Sequence, residues 1–251
     1  MIGLLVRKEL LELRRSPALV LSMISLPLTV VVVPVALYAW LSRVAPAQAL
    51  AFVQEMYGTR EEEPLVGLAL VLARNWLPMF LVLPIFLPIL LSAQSIGGER
   101  ERHTLEPLLA TPVRAVEIVL GKSIAALLPA LALTWLSALA FCAGMDLVAG
   151  RFLLPDSAWL FGTLLLSPLL ALFGNALAVV VSSRILDPRA AQNLAAMTVV
   201  PLLGLLVVQL AGRIALGPRF YLGLALGAAL ADVLLITLAV KVFDRERLLT
   251  K

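Results

Sequence analysis

Six long apolar stretches, separated by shorter polar segments, make up most of the chain. They predict membrane-spanning helices at residues 18–41, 76–96, 116–144, 158–181, 194–211 and 220–240. A helix needs roughly 20 apolar residues to cross the hydrocarbon of a bilayer, and each stretch is close to or above that length. The pattern therefore predicts an all-α integral membrane protein with a single membrane domain, residues 1–251.

The first 16 residues have a different, amphipathic pattern. At helical spacing, one face carries Ile2, Leu5, Val6, Leu10 and Leu13. Glu9 falls in the middle of that apolar face, whereas Leu4 and Leu11 fall on the polar side. We predict a helix that lies along the membrane surface and either docks partly on protein or serves as a plain interfacial anchor. The apolar run that follows is too long for the core of a signal peptide, so we interpret it as a retained first span.

Positive charge is concentrated on one side of the predicted spans. Four Lys or Arg residues lie in the amino-terminal segment, four in the central stretch Gly97–Lys122, two in the second link Ser182–Asn193 and four in the tail Lys241–Lys251. These are fourteen of the twenty in the chain. The positive-inside rule therefore places both termini, the central stretch and the second link in the cytoplasm, with the spans in the cell (inner) membrane. The net charge of +4 reports topology and does not indicate nucleic-acid binding.

The central stretch has the local signals of a short helix. Thr104 can cap it, with Glu106 and Pro107 in its first turn, and Thr111-Pro112 repeats the signal where the third span begins. Its apolar ridge consists of Leu105, Leu108 and Leu109. We predict a helix across the membrane surface whose leucines either insert into a groove on a cytoplasmic partner or rest on lipid headgroups.

Chemistry catalysed by the chain itself is not indicated. His103 is the only histidine and Cys142 the only cysteine, so neither a His-based nor a Cys-based metal site is predicted. Gly121-Lys122-Ser123 resembles the end of a phosphate-binding loop, but Val116 stands where that loop requires glycine. We expect no catalytic residues, no metal and no nucleotide bound by this chain.

Several polar residues and prolines fall inside the predicted spans. Asp232 lies nine residues before Lys241, roughly 13 Å deep in a helix. It can pair with Lys122, form part of an ion or proton pathway, or be protonated and bonded to a Ser or Thr. With Asn175 and Gln209, which are more typical of interhelical hydrogen bonds, it makes up a possible intramembrane polar site. In the second span, kinks are predicted at Pro78, Pro84 and Pro88.

Three segments together carry a family pattern. In the central stretch it consists of Gly98-Glu99-Arg100-Glu101-Arg102, the run from Thr104 to Pro112, Glu117 and Gly121-Lys122. At the amino end it consists of Arg7-Lys8-Glu9-Leu10 and Arg14-Arg15-Ser16, and in the second link of Ser182-Ser183-Arg184 and Asp187 to Gln192. With the six spans, these segments resemble ABC-2 type permeases, the membrane subunits of ABC exporters. The short sodium-export and drug-export members are the most similar in style.

The resemblance implies a dimer of permeases, homomeric or with a close paralogue, joined to two ABC ATPase subunits that bind ATP and Mg²⁺. The central stretch would be the coupling helix and the amino-terminal helix, with Arg7, Glu9 and Arg14, the connecting helix. Contacts with the ATPase would come from Glu99, Glu101, Thr104, Leu105, Glu106, Leu108, Leu109, Arg184, Asp187 and Arg189. His103 departs from the family, where glycine is common; this should not abolish coupling, but it can alter the turn before Thr104.

Two other classes of function remain open from the sequence. One is an ion- or proton-coupled carrier or channel that uses Asp232 and needs no ATP; the other is a membrane scaffold that transports nothing. The resemblance does not fix the substrate, since small cations, hydrophobic drugs and lipids all suit spans composed mainly of Leu, Val, Ala and Pro.

Overall fold

The computed structural model describes residues 2–44, 63–101, 115–182, 184–185, 187–210 and 217–249. All regular structure in these ranges is helical, and six helices are long and apolar enough to cross a membrane. The prediction of an all-α integral membrane fold is confirmed.

The elements follow the predicted order. A surface helix, α1, runs from Ile2 to Arg15 and is followed after Ser16 by span 1, Pro17–Val44. Span 2 consists of Pro64–Phe80 and Val82–Glu101, and span 3 is Ala115–Ala149. Span 4 comprises Ser157–Leu160, the π-helix Phe161–Leu166 and Ser167–Ser182. Span 5 comprises Pro188–Ala196, the 3₁₀ turn Met197–Val199 and Val200–Leu210, and span 6 is Pro218–Leu249.

Span 2 begins at Pro64, twelve residues before the predicted start at Trp76. The added residues include the polar Arg74 and Asn75, but each uses a side-chain nitrogen to contact an acceptor in the folded chain. Arg74 Nε lies 3.5 Å from the Asp156 carboxylate, and Asn75 Nδ2 donates to the Val71 carbonyl at 2.9 Å. A helix can therefore continue through both residues.

Span 5 also begins before its predicted start, inside the second link. The Asp187 carboxylate accepts a hydrogen bond from the Arg189 amide at 2.9 Å, and Pro188 occupies the first turn. A capping carboxylate followed by proline is a strong helix start, because it satisfies an amide that has no helical partner. The helix therefore begins at Pro188 rather than at Leu194.

Span 2 is the centre of the bundle. Of its most apolar segment, 83% is buried, against 22% for spans 1, 5 and 6. It is interrupted at Leu81, between Pro78 and Pro84, where a kink was expected. Pro84 has no amide hydrogen to donate to the carbonyl four residues earlier, so the regular ladder cannot continue through this point.

Spans 2, 3 and 4 meet in an aromatic cluster at the end of the bundle opposite α1. The ring centroids of Phe80, Phe141 and Trp159 lie 4.8 to 5.0 Å apart. Farther along, span 4 approaches span 2 so closely that a Cβ on Gly174 would lie 2.5 Å from the Ile85 carbonyl oxygen. These contacts fix the central helices and leave the ends of spans 2 and 3 that flank the central stretch beside α1.

Candidate functional site

α1 lies with one face against the bundle. The side chains on that face are half-buried, namely Ile2, Leu5, Val6, Glu9, Leu10 and Leu13. The opposite face is exposed, as is Arg14, and it borders a shallow groove of about 320 Å³ lined by Leu4, Arg7, Lys8, Leu11, Glu12 and Arg15. The two faces are those that the sequence pattern predicts. Of the two alternatives left open, the structure supports docking of α1 on protein.

Glu9 takes part in a buried charged cluster with Ser95 of span 2 and Lys122 of span 3. The Lys122 ammonium lies 2.8 Å from one Glu9 carboxylate oxygen. It also donates to the Ser95 hydroxyl at 2.8 Å and to the Ser95 carbonyl at 3.3 Å. The Ser95 hydroxyl in turn donates to the second oxygen of Glu9 at 2.7 Å. Three helices are therefore joined by one hydrogen-bond network, the Glu9–Ser95–Lys122 cluster.

The cluster is shielded from water. The side chain of Lys122 is 3% exposed and that of Glu9 is 10% exposed. Lys8 extends the charge pattern outward, since its ammonium lies 3.9 Å from Glu9 and 3.4 Å from Glu12 at the surface. A buried ion pair needs its remaining donors and acceptors satisfied to offset the loss of hydration, and Ser95 supplies both kinds of group.

Gly121 allows α1 to approach span 3 at this point. A Cβ on Gly121 would lie 2.9 Å from the Cβ of Leu5, closer than side-chain carbons approach one another. The neighbouring residue Lys122 then reaches Glu9, one turn further along α1. Gly121-Lys122 therefore serves a packing and pairing role, which accounts for a dipeptide that otherwise resembles a phosphate-binding loop.

The predicted coupling residues fall into two groups. Thr104, Leu105, Glu106, Leu108 and Leu109 lie outside the described residues. The backbone at Glu99 and Glu101 is helical and forms the end of span 2, which continues five residues beyond its predicted end at Ile96. The described residues thus include the helices on both sides of the central stretch, spans 2 and 3. The Glu9–Ser95–Lys122 cluster joins these two helices.

In the second link, one of the three predicted ATPase contacts also has a structural role. The Asp187 side chain caps span 5 and is therefore already engaged. Arg184 and Arg189 are exposed. Asp187 is exposed as well, so all three predicted ATPase contacts in this link lie at the surface, beside a capped helix start.

The possible intramembrane polar site is not one site in the structure. Asn175 accepts a hydrogen bond from the Ser92 hydroxyl at 2.6 Å, whereas Gln209 donates to the Arg74 carbonyl at 2.8 Å. Ser92 and Arg74 are 18 residues apart on span 2, about 27 Å along a helix. Asn175 and Gln209 therefore join different levels of the bundle, as interhelical hydrogen-bonding groups do.

Asp232 does not pair with Lys122, so that predicted alternative is wrong. The Lys122 ammonium is directed to Glu9 and Ser95, which approach it from α1 and span 2. Asp232 is 4% exposed, and neither of its carboxylate oxygens has a hydrogen-bond partner among the described residues. The proposed bond to a Ser or Thr is therefore also not seen. The role of Asp232 in an ion or proton pathway stays a prediction.

Ser95 is the member of the cluster that the sequence did not indicate. A single serine near the end of an apolar span has no distinguishing local pattern, and it acquires its role because it lies between Glu9 and Lys122. Those two residues are separated by 113 positions and are joined only by the fold.

Taken together, the described chain is a polytopic helical membrane protein with a surface helix docked, through a buried ion pair, on the flanks of a polar stretch. The chain belongs to the ABC-2 family of transporter proteins, whose family model matches residues 4–222. The expected resemblance is thereby confirmed, and the chain is a membrane permease of the ABC exporter class. A comparison with curated protein sequences gives no significant match.

Proposed function

We propose that this permease works as a dimer, of identical copies or of close paralogues, driven by two ABC ATPase subunits that bind ATP and Mg²⁺. Both termini, the central stretch and the second link face the cytoplasm, and the spans lie in the cell membrane. ATP-driven movement of the ATPases displaces the central stretch and opens an outward path between the permease copies. The transported compound is left open by this proposal.

The observation that best supports the proposal is the arrangement around the central stretch. Span 2 continues as a helix to Glu101 and span 3 begins at Ala115, so stiff helices bound the intervening residues on both sides. The Glu9–Ser95–Lys122 cluster joins these flanks to α1. A force applied to the central stretch would therefore act on several helices at once.

The proposal is tested by disrupting the leucine ridge of the central stretch. Leu108→Asp combined with Leu109→Asp places two carboxylates where apolar contact with the ATPase is expected, and should abolish co-purification of the ATPase and nucleotide-driven transport. Phe152→Asp is the control, because Phe152 is 96% exposed in the loop between spans 3 and 4, on the opposite side. Survival of both co-purification and transport in the double variant would refute the coupling role.

A second candidate function is supported by Asp232. Span 6 packs against span 4, whose sequence contains no Asp, Glu, Lys, Arg or His, so that helix offers Asp232 no counter-charge. A carboxylate within a membrane span is costly unless it is paired, so an intramembrane carboxylate is by default a candidate functional residue. In an ATP-independent carrier or channel, Asp232 would bind the ion or proton.

The two candidates differ in their need for an ATPase. The carrier requires that permease alone, reconstituted in vesicles, moves ions or protons down an imposed gradient and that Asp232→Asn stops the flux. The exporter requires that flux appears only when the ATPase and ATP are present, whatever the effect of Asp232→Asn.

A further inference from the structure

The Glu9–Ser95–Lys122 cluster lies where three helices meet beside the central stretch. Ser95 is near the end of span 2, and Lys122 is eight residues into span 3. Residues 102–114, the part of the central stretch between the two helices, are therefore bounded by helical segments that a single network ties together. Glu9 adds α1 to the same network.

The cluster is strong because its polar groups are mutually satisfied where water is largely excluded. Lys122 donates to three acceptors, and each carboxylate oxygen of Glu9 accepts a hydrogen bond. Removing one charge would leave the other buried without its partner, which costs far more than loss of a surface pair. The ion pair between Lys8 and Glu12 on the same helix, with both side chains well exposed, is of that weaker kind.

α1 is also connected closely to span 1. Only Ser16 separates the two helices, and backbone hydrogen bonds continue across it, from the Ser16 amide to Leu13 and from the Val20 amide to Ser16. At its outer half, span 1 is tied to span 2 by Trp76, whose indole donates to the Val30 carbonyl at 2.9 Å. At its cytoplasmic end, the charged link to spans 2 and 3 runs through α1.

We propose that Glu9, Ser95 and Lys122 form an electrostatic clamp that makes α1 and the cytoplasmic ends of spans 2 and 3 move as one body. Displacement of the central stretch is then passed through α1 to the cytoplasmic end of span 1. The three residues are positioning residues: they touch neither nucleotide nor substrate. This inference rests on the proposed function, since the displacement comes from an ATPase.

The test follows the cytoplasmic end of span 1 in the complete complex of permease and ATPase in lipid nanodiscs. Leu21, which is 70% exposed, is replaced by Cys in a Cys142→Ala background and labelled with bimane. Bimane fluorescence is compared without nucleotide and with ATP and vanadate, and ATP hydrolysis is measured on the same samples. With Glu9 intact, trapping the nucleotide should change the fluorescence.

Glu9→Gln should lower that fluorescence change about fivefold or more, while bound ATPase and hydrolysis stay within about twofold. Ser95→Ala, which keeps the ion pair but loses the hydroxyl bridge, should give an intermediate loss. Exchanging the charges, Glu9→Lys with Lys122→Glu, should restore a large part of the change. Glu12→Gln is the matched control and should leave it intact, because Glu12 is exposed on the other face of α1.

An unchanged response in Glu9→Gln would overturn the clamp and leave the proposed function standing. Equal losses of ATPase binding, hydrolysis and fluorescence change in Glu9→Gln and in the exchanged pair would also overturn it, because the residues would then only maintain the fold. Absence of any nucleotide response at Leu21 in the unsubstituted permease, despite bound and active ATPase, would overturn the transfer of movement to span 1, whereas failure of the ATPase to bind the unsubstituted permease would contradict the proposed function itself.

Discussion

At the scale of single residues, Lys122 and Asp232 are two buried charged side chains of the described residues that are in opposite situations. Lys122 is enclosed by acceptors from two other helices, whereas Asp232 has no hydrogen-bond partner in the described part of the chain. Desolvation penalises both ions, but only Lys122 has interactions that offset the penalty. The two residues should therefore respond to substitution in opposite directions.

Lys122→Met should destabilise the permease by about 3–5 kcal/mol, because the Glu9 carboxylate would stay buried without its partner. Thermal unfolding of the purified protein can be followed with a thiol-reactive dye, since the single cysteine, Cys142, is buried in the folded state. Combining Lys122→Met with Glu9→Leu removes both charges and should recover most of the loss. A double variant as unstable as the single one would contradict this account.

Asp232→Leu should raise the unfolding temperature in the same assay. It removes a buried group without a described partner, a penalty of about 1–3 kcal/mol, and replaces it with an apolar side chain suited to its surroundings. Asn175→Leu is the comparison, and should lower the temperature because it breaks the bond from Ser92. Destabilisation by Asp232→Leu would show that the carboxylate has a partner within the assembly.

At the scale of the elements, glycines determine where helices approach each other. Gly174 brings span 4 against the backbone of span 2, and Gly121 brings span 3 against α1. Gly223 and Gly227 of span 6 share the spacing that often marks a helix contact, yet no other helix in the described chain comes within 4 Å of a Cβ built on either residue. The motif alone therefore does not identify the contact.

Gly174→Ala should destabilise the bundle by about 1–3 kcal/mol, because the new methyl group would meet the Ile85 backbone, which cannot move aside as a side chain can. Gly223→Ala and Gly227→Ala are matched controls, and should be neutral or stabilise by up to about 1 kcal/mol through helix propensity. The unfolding temperatures of the three variants measure this difference between Gly174 and the two control positions. Equal effects at all three positions would show that the close approach at Gly174 is not structural.

At the scale of the whole molecule, the six spans place α1 and the loop between spans 3 and 4 at opposite ends of the bundle. The family assignment establishes a multi-pass permease, and the charge distribution supports a cytoplasmic position for α1. The side of the membrane matters for function, because an ATPase can act only on a cytoplasmic surface.

Orientation can be measured with single cysteines in the Cys142→Ala background. Phe152→Cys should react with a membrane-impermeant maleimide in intact spheroplasts, since Phe152 is almost fully exposed in the loop between spans 3 and 4. Lys8→Cys, on the exposed face of α1, should react only after the membrane is opened. The reverse labelling pattern would invert the topology and exclude a cytoplasmic coupling stretch.

The sequence by itself determined the all-α membrane fold, the six spans, the two faces of α1 and the family. These properties depend on local patterns: apolar length, helical periodicity and recognisable segments. The predicted starts of spans 2 and 5 were less accurate, since these helices begin at Pro64 and Pro188. Polar residues near a helix boundary resemble a loop until their partners are known.

The tertiary structure decided which polar groups meet. Glu9 and Lys122 are 113 residues apart, and Ser95 carries no local signal, so their network exists only when three helices pack together. The same packing leaves Asp232 without the lysine that the sequence offered as a partner. The position of a charged residue within an apolar stretch predicts that its side chain is buried. The direction from which neighbouring helices approach determines whether that charge is paired.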